Sequence, residues 1–472
     1  MARVEFPIIG SRQVDRAWAV NKQRSVNFYV EAEGDGAAAV MTMKPTSGTI
    51  LLGTQGNGPA RSDYVEFAGN CYVVSGGQLV KITTAWVMSS VGNLNTNVGN
   101  VSMIAGRTYL MLVDGGDGYT WNGTTFAVIS DVDFPASPSY CGYLDGFFMV
   151  NDANSDEWQI SASEDPTAWD GLDFSSADAH PDNITAIIAS YRDIYMIGPK
   201  TSQVFFNSNN ADFPFDIYSN GVLEWGIAAP FSLARIGGVL FLLGQGKDTS
   251  LSVLMVNGFQ AQKISDPDLA YTISRFSTVA DAKGFAYTQA DQTFYELTFP
   301  TEEVTFAYHV EQDMWHERTS YGLDRHRLQG YGYFNGRHLV GDFANGNTYY
   351  LDAETYTDNG DPILRKRIAT MLQRENRQFE VNEFEIEFKR GVGISGTAQG
   401  SDPEVMLRYS PDGGNTWSSE LRQKLGKIGE YTRRAIWTQL GTMDQFTPEI
   451  SMSDPVETII IRASMEVEVL DA

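Results

Sequence analysis

Short apolar runs that alternate with polar residues, each broken by a turn carrying Gly, Asn or Asp, recur through most of the chain, and long stretches of helical period are nearly absent. The clearest units are Tyr64 to Ile82 around Gly69-Asn70, Val101 to Ile129 around Gly106, and Tyr140 to Ala162 around Asp145-Gly146. Four more follow: Ile184 to Ser208 around Arg192-Asp193, Ser232 to Ile264 around Gly237-Gly238, Ala280 to Phe306 around Ala290-Asp291, and Leu328 to Leu351 around Asn335-Gly336. Alternation at period two places one face of each strand against a core. The turns fall roughly 35 to 55 residues apart, the length that four short strands and their loops occupy in a propeller blade. A single unit would leave an apolar face in water, and a closed ring of units covers it while leaving only short edges. The expected fold is therefore all-β, with a β-propeller of six or seven blades over residues 51–360. A set of β-sandwiches built from similar hairpins is the competing architecture, because the units share a pattern more than an identity.

Thr357 to Pro362 concentrates turn residues and closes the last repeat. Beyond it the texture changes: Phe379 to Lys389 alternates strictly, Val405 to Tyr409 reads as another strand, and Thr458 to Leu470 supplies a final pair of alternating runs. Residues 361–472 are thus expected to form a C-terminal β-sandwich platform, and residues 1–50 an N-terminal arm against it. One short helix is expected near Ile363 to Gln378, where Arg365, Lys366, Arg367, Arg374 and Arg377 lie on an otherwise mixed face.

Composition narrows the function. The 472 residues carry 34 Lys+Arg against 59 Asp+Glu, a formal charge of −25 that excludes a uniformly basic nucleic-acid binder. With 42% hydrophobic residues there is material for one large core or two ordinary ones. No run approaches the roughly 18 apolar residues of a membrane helix, and the charged amino terminus is not expected to act as a secretion signal. Cys71 and Cys141 are too few for a disulfide framework and are expected to be buried. Charge is unevenly distributed: residues 1–24 are basic, residues 25–360 hold 15 basic against 39 acidic side chains, and residues 361–472 hold 14 against 18. The basic positions Arg3, Arg12, Arg16, Lys22, Arg24, Arg365, Lys366, Arg367, Arg433 and Arg434 differ in sign from the acidic body and are candidates for contacts to partner subunits. Ordinary solvated surface charge is the alternative.

Candidate chemistry is sparse. Ser410-Pro411-Asp412-Gly413-Gly414-Asn415-Thr416-Trp417 fits the Asp-box pattern Ser-x-Asp-x-Gly-x-x-Trp. In such a turn Asp412 binds backbone amides, Gly414 takes a conformation costly for other residues and Trp417 packs beneath the loop, which stabilises a hairpin and catalyses nothing. Sialidases carry several such boxes on the propeller itself, together with an arginine cluster and a Tyr nucleophile backed by Glu. One box outside the repeats makes that carbohydrate-active reading, as glycosidase or lectin, the weaker one. None of the five histidines forms an HExxH pair, and His316 is expected to be a hydrogen-bonded structural residue at a strand edge. Asp114-Gly115-Gly116-Asp117-Gly118 reads as a turn before it reads as a Ca²⁺ loop. With no nucleophile elbow and no phosphate-cradling loop, the chain is expected to be no enzyme and to use no cofactor or metal.

Three stretches together resemble one family. The first is Ser25 to Glu31 with Lys44 to Gly48 and Tyr72 to Gly76. The second is Ile160 to Asp165, Trp169-Asp170-Gly171-Leu172-Asp173-Phe174 and His180-Pro181-Asp182, running on to Phe213-Pro214-Phe215. The third is Trp315-His316-Glu317-Arg318 with Gly341-Asp342 and Tyr356-Thr357-Asp358. This is similar to the packaged-DNA stabilisation proteins that form the tail hub or nozzle of short-tailed double-stranded DNA bacteriophages, from about residue 20 to the end. The one departure noticed is Pro45-Thr46-Ser47-Gly48, where the family more often has Pro-Gly directly. The resemblance implies a virion protein of the phage tail, assembled in the host cytoplasm as a homohexameric ring below the portal and its adaptor. It further implies a channel closed against DNA leakage until ejection, weak non-specific contact with the duplex inside, and a platform for tail spikes, fibres or a needle.

Overall fold

The computed structural model describes residues 2–14, 22–34, 39–178, 180, 182–373 and 377–470. Seven four-stranded antiparallel units succeed one another. Blade 1 runs from Val65–Phe67 to Met88–Asn93, blade 2 from Ser102–Ala105 to Phe126–Val128, and blade 3 from Cys141–Leu144 to Asp165–Ser176. Blade 4 spans Ala186–Ser190 to Phe215–Leu223, blade 5 Ala234–Ile236 to Gln260–Lys263, and blade 6 Lys283–Gln289 to Met314–Glu317. Blade 7 takes three strands from Leu328–Phe334, Arg337–Asp342 and Asn347–Asp352, and its fourth from Gly48–Thr54 near the other end of the chain. The propeller is thus seven-bladed and closed by non-adjacent sequence, which leaves no open first or last sheet.

The local turns explain the hairpins. Asp145 and Gly146 in blade 3, and Asn335 and Gly336 in blade 7, all take positive φ (49° and 97°, 46° and 80°), the conformation a two-residue hairpin demands. Between blades, apolar side chains of one sheet face the next: Phe205 and Phe215 of blade 4 pack on Trp158 of blade 3, and Tyr295 of blade 6 stacks on Phe241 of blade 5. Cys71 and Cys141 are buried in such contacts, and burial pushes both thiols up to about 12.

The second body is a β-sandwich. One sheet orders Phe28–Ala32, Met41–Pro45, Ile460–Val469, Phe379–Phe388 and Ala435–Met443, with Ala2–Phe6 paired to Ile460–Val469. The other sheet is continuous with blade 6: its last strand meets Lys22–Val26 at Glu317↔Val26, and Arg365–Ile368, Gln445–Met452, Glu404–Ser410 and Leu421–Lys424 follow. A core of Phe6, Phe28, Phe384, Trp437 and Phe446 lies between the two sheets. Strands from the first fifty residues are therefore built into both sheets of the sandwich and into blade 7.

The expected helix near Ile363 to Gln378 is replaced by strands Arg365–Ile368 and Leu372–Gln373. The reason is a period of two: Arg365 and Arg367 point into the interior while Lys366 points out, so the basic run reads as a strand with a buried polar face.

Candidate functional site

The Asp box folds as its spacing requires. Ser410 Oγ accepts from the Gly414 amide at 2.6 Å and donates to Asp412 Oδ1 at 2.8 Å. Asp412 Oδ1 accepts from the amides of Asn415 and Thr416 at 3.0 and 2.8 Å, and these bonds hold the carboxyl at about 2. Trp417 departs from expectation: it is half-buried beside the turn, with the Arg408 guanidinium 5.5 Å from its ring centre. Ser410 is fully buried, so Ser410→Ala removes its bonds to the Gly414 amide and to Asp412 and should cost roughly 1–3 kcal/mol in a urea titration.

The basic candidates separate into three groups. Arg12, Arg365 and Arg367 are buried, which corrects their reading as subunit-facing contacts: a guanidinium inside the chain cannot reach a partner's surface. Arg367 donates Nε to the Ile8 carbonyl at 2.8 Å, Nη1 to the Ser11 carbonyl at 2.9 Å, and Nη2 to Gln23 Oε1. Arg365 donates to the carbonyls of Asp454 and Tyr356 at 3.1 and 3.2 Å. Arg12 Nε binds Glu317 Oε1 at 3.0 Å, and Arg24 grips the same carboxylate with Nε at 3.1 Å and with Nη2. Farther along the same sheet Glu449 accepts from Arg408 Nε at 2.9 Å, with Lys366 Nζ at 3.8 Å. These pairs cross from blade 6 into the sandwich along one sheet. A second group faces solvent: Arg3 and Arg434 share Glu385, and Arg433 lies 3.7 Å from Glu430. Arg16 lies outside the described residues, as does the side chain of Lys22.

Trp315-His316-Glu317-Arg318 proves to be the hub of a buried network that residue spacing did not reveal. Arg318 Nη1 and the Tyr287 hydroxyl both donate to Glu296 Oε1 at 3.1 Å, while His326 Nδ1 lies 2.8 Å from Oε2. Burial alone would raise the Glu296 carboxyl, and Arg318 with His326 overrides it and holds the group at about 2. His316 is buried nearby with no hydrogen bond to Nε2, and burial followed by the Arg318 charge lowers it to about 3. The expectation of a hydrogen-bonded His316 is thus corrected at that nitrogen. The rings of Tyr29 and Phe294 occupy the space around it, with centroids 6.5 and 5.9 Å away. A tyrosine, a glutamate and an arginine do meet here, the composition a sialidase would use. All three are buried and bonded to one another, so the set holds blade 6 against its neighbours.

The first strands of blades 2 to 7, with residues 61–64 leading into blade 1, enclose a cavity of about 630 Å³ on the propeller axis, lined by Asp63, Tyr140, Lys283 and Tyr331 among others. Asp63 is open to this space yet ringed by protein, and the confinement raises its carboxyl to about 6 although the Tyr331 amide donates to it at 3.1 Å. Lys283 opposite is lowered to about 8 by burial and by Arg325. Asp114, the candidate calcium ligand, spends both oxygens on the turn: the amides of Gly116 and Asp117, the Thr96 hydroxyl and the Tyr119 hydroxyl all donate to it at 2.6–3.0 Å. Among the described residues no group of three His, Cys, Asp or Glu side chains is placed to hold a metal ion. No described helix is long and apolar enough to cross a membrane.

Two family models match the chain in succession. One described as bacteriophage P22 Gp10, beta-propeller, covers residues 5–356, and one described as bacteriophage P22 Gp10, beta-sandwich, covers residues 365–468. No curated protein matches the sequence. Among solved structures, the Pan2 WD40 domain of Neurospora crassa is similar at 10% identity and a TM-score of 0.41, over 63% of this chain and 89% of that one. Virginiamycin B lyase from Staphylococcus aureus is similar at 8% identity and a TM-score of 0.44, over 69% and 99%. BamB from Moraxella catarrhalis is similar at 10% identity and a TM-score of 0.40, over 66% and 97%.

Proposed function

The chain belongs to the bacteriophage P22 Gp10 family of structural tail proteins, and from that membership we propose that it is the tail-nozzle subunit that retains packaged DNA in a short-tailed phage until ejection. The observation that carries this reading is the match of both family domains, in order, along one chain. The architecture supports it on mechanical grounds. A plug that resists DNA under pressure needs parts that do not shift against each other, and here one continuous sheet and a row of largely buried ion pairs join the propeller to the sandwich. Buried pairs of this kind are costly to break, because separating one leaves an uncompensated charge.

In this reading six copies form a ring beneath the portal-adaptor complex and carry spikes, fibres or a needle on the outside. The exposed Arg3, Arg433 and Arg434, and the half-exposed Arg24 and Lys366, remain available for those contacts. The acidic body, with 15 basic against 39 acidic side chains over residues 25–360, gives duplex DNA little electrostatic grip. Retention then rests on a constriction or a bound plug, and no hydrolytic step is involved.

The test is genetic. Particles assembled without this chain should fill with DNA and then lose it, measured as nuclease-accessible genome per capsid, and adding purified protein to newly filled particles should stop the loss. Particles that keep their DNA without the protein would refute the assignment.

A further inference from the structure

The motif Trp169 to Phe174, which carries much of the family resemblance, does more than pack. It lies in the last strand of blade 3, Asp165–Ser176, where Trp169 is buried against Phe134 with ring centroids 5.0 Å apart. Leu172 and Phe174 instead face outward, 82% and 43% exposed. The turn between blades 2 and 3 folds onto this strand. Asp131 Oδ2 accepts from the Trp169 amide at 3.1 Å, and a side-chain position at Gly171 would lie 3.3 Å from the Asp133 carboxylate. That turn presents Val132, 94% exposed. The result is an apolar spot of Val132, Leu172 and Phe174 framed by Asp131, Asp133, Asp170 and Asp173, with no basic residue in either segment.

A surface of the opposite character lies on the sandwich. Between the strands Leu421–Lys424 and Ala435–Met443, every residue from 427 to 434 is exposed. Ile428 and Tyr431 are 63% and 66% exposed; Arg434 is bonded to Glu385 and Arg433 stands 3.7 Å from Glu430, so Lys427 leaves the loop with a small positive excess. The loop is held in shape by Arg390 Nη1, which donates to the Tyr431 carbonyl at 3.3 Å, and by the Lys427 amide, which donates to Glu430 at 3.2 Å. Both patches are therefore shaped, partly apolar and of opposite charge.

They do not meet within one subunit. The sandwich is attached at blade 6, through Val26↔Glu317, and at blade 7, through Thr49↔Asp358, and blade 3 lies three blades away from either in ring order. Two complementary patches at separate places on one molecule suit a head-to-tail contact, which repeats from copy to copy and forms a ring when its rotation closes.

We propose that the blade 3 rim of one subunit docks the Lys427 to Arg434 loop of a second copy of this chain. The proposal rests on the ring-forming tail reading above and supplies the surfaces that reading lacks. Leu172 and Phe174 pack against Ile428 and Tyr431, while Asp133 and Asp170 face Lys427 and Arg433.

The test is a charge exchange in the full chain, read by native mass spectrometry and sedimentation at low salt, with melting temperature as the folding control. D133K/D170K and K427E/R433E should each assemble at least about tenfold more weakly than wild type, since close unlike charges become like ones. An equimolar mixture should regain rings with equal numbers of the two chains, because each altered rim then meets the oppositely altered loop. Leu172→Ser and Ile428→Ser, which carry no charge change, should also weaken assembly and serve if a charge variant loses stability. Undiminished rings in these variants would place the interface elsewhere and leave the nozzle reading intact. Weakened variants with no recovery on mixing would mean that the two patches bind something other than each other. A wild type that never associates would overturn both the docking and the ring.

Discussion

Replacing Arg367 with alanine is expected to destabilise the protein by roughly 3–5 kcal/mol, because three buried acceptors lose their donor and the space the side chain filled is left empty. Those acceptors are the carbonyls of Ile8 and Ser11 and the side chain of Gln23, all drawn from the amino-terminal segment. Burial pulls the guanidinium down to about 9, so it still enters the fold charged at neutral pH. Lysine cannot rescue it, since one ammonium on a flexible stem does not reproduce a planar fork with three separated partners. Arg107→Ala is the control: that residue is exposed and loosely paired, and such changes fall within about 0.5 kcal/mol. Equilibrium urea titrations of the two variants check the contrast, and equal stabilities would show that the interior pairing contributes nothing.

The second large effect is acid sensitivity centred on His316. Its folded form is held neutral down to about 3, whereas an unfolded histidine takes up a proton near its ordinary value of 6.5. The contribution to stability is therefore present above 6.5 and is lost as pH falls from there toward 3. Between pH 6.5 and 5 the loss is about 2 kcal/mol, at 1.36 kcal/mol per unit for one proton. The charged and titratable groups facing His316 are Arg318, His309, Glu296 and His326, and of these His309 is also lowered, chiefly by burial, and adds to the same trend. Glu296 acts later: held at about 2, it withdraws support only as pH falls below its ordinary 4.5. In His316→Phe the stability difference between pH 7.5 and pH 5 should shrink by about 2 kcal/mol. An unchanged difference would mean that other groups govern the acid response.

What could be read in the sequence was whatever short-range chemistry decides. Asp145-Gly146 and Asn335-Gly336 announce hairpins because few other pairs tolerate positive φ twice, and the Asp box carries its own hydrogen-bonding partners within eight residues. Arg365 and Arg367 were misread for the converse reason. A basic run suggests a wet surface, and nothing nearby discloses that Arg367 finds its acceptors more than 340 positions away. The alternation through 363, 365, 367 and 369 was present, but charge at two of those positions hid its apolar logic. His316 was legible as structural yet not as unpaired, since its surroundings are Tyr29 and Phe294, brought in by the amino-terminal hairpin and a neighbouring strand. Trp417 was placed beneath its turn by pattern, and Arg408 from the preceding strand offered it a cation instead. The family motif at Trp169 to Phe174 could be recognised by its letters, while the outward aim of Leu172 and Phe174 depends on where the strand irregularity near Ser161 falls.

The closing strand of blade 7 also sets a timetable for synthesis. Thr54 is paired with Asn347, a separation of 293 positions. At about 5–20 residues per second the ribosome makes that partner roughly 15–60 s after Gly48–Thr54 has emerged. During this interval six blades can form in order while the seventh consists only of its outermost strand, Gly48–Thr54, which has nothing to pair with. Such long-range pairing is slow to nucleate and exposes strand edges to other nascent chains. The propeller cannot close gradually: it stays an open arc until its last sheet arrives and then shuts in one event. A subunit cut short during translation, anywhere before residue 347, is left as an arc, and the same late closure that removes the seam from the finished protein prevents a partial chain from passing as a complete one.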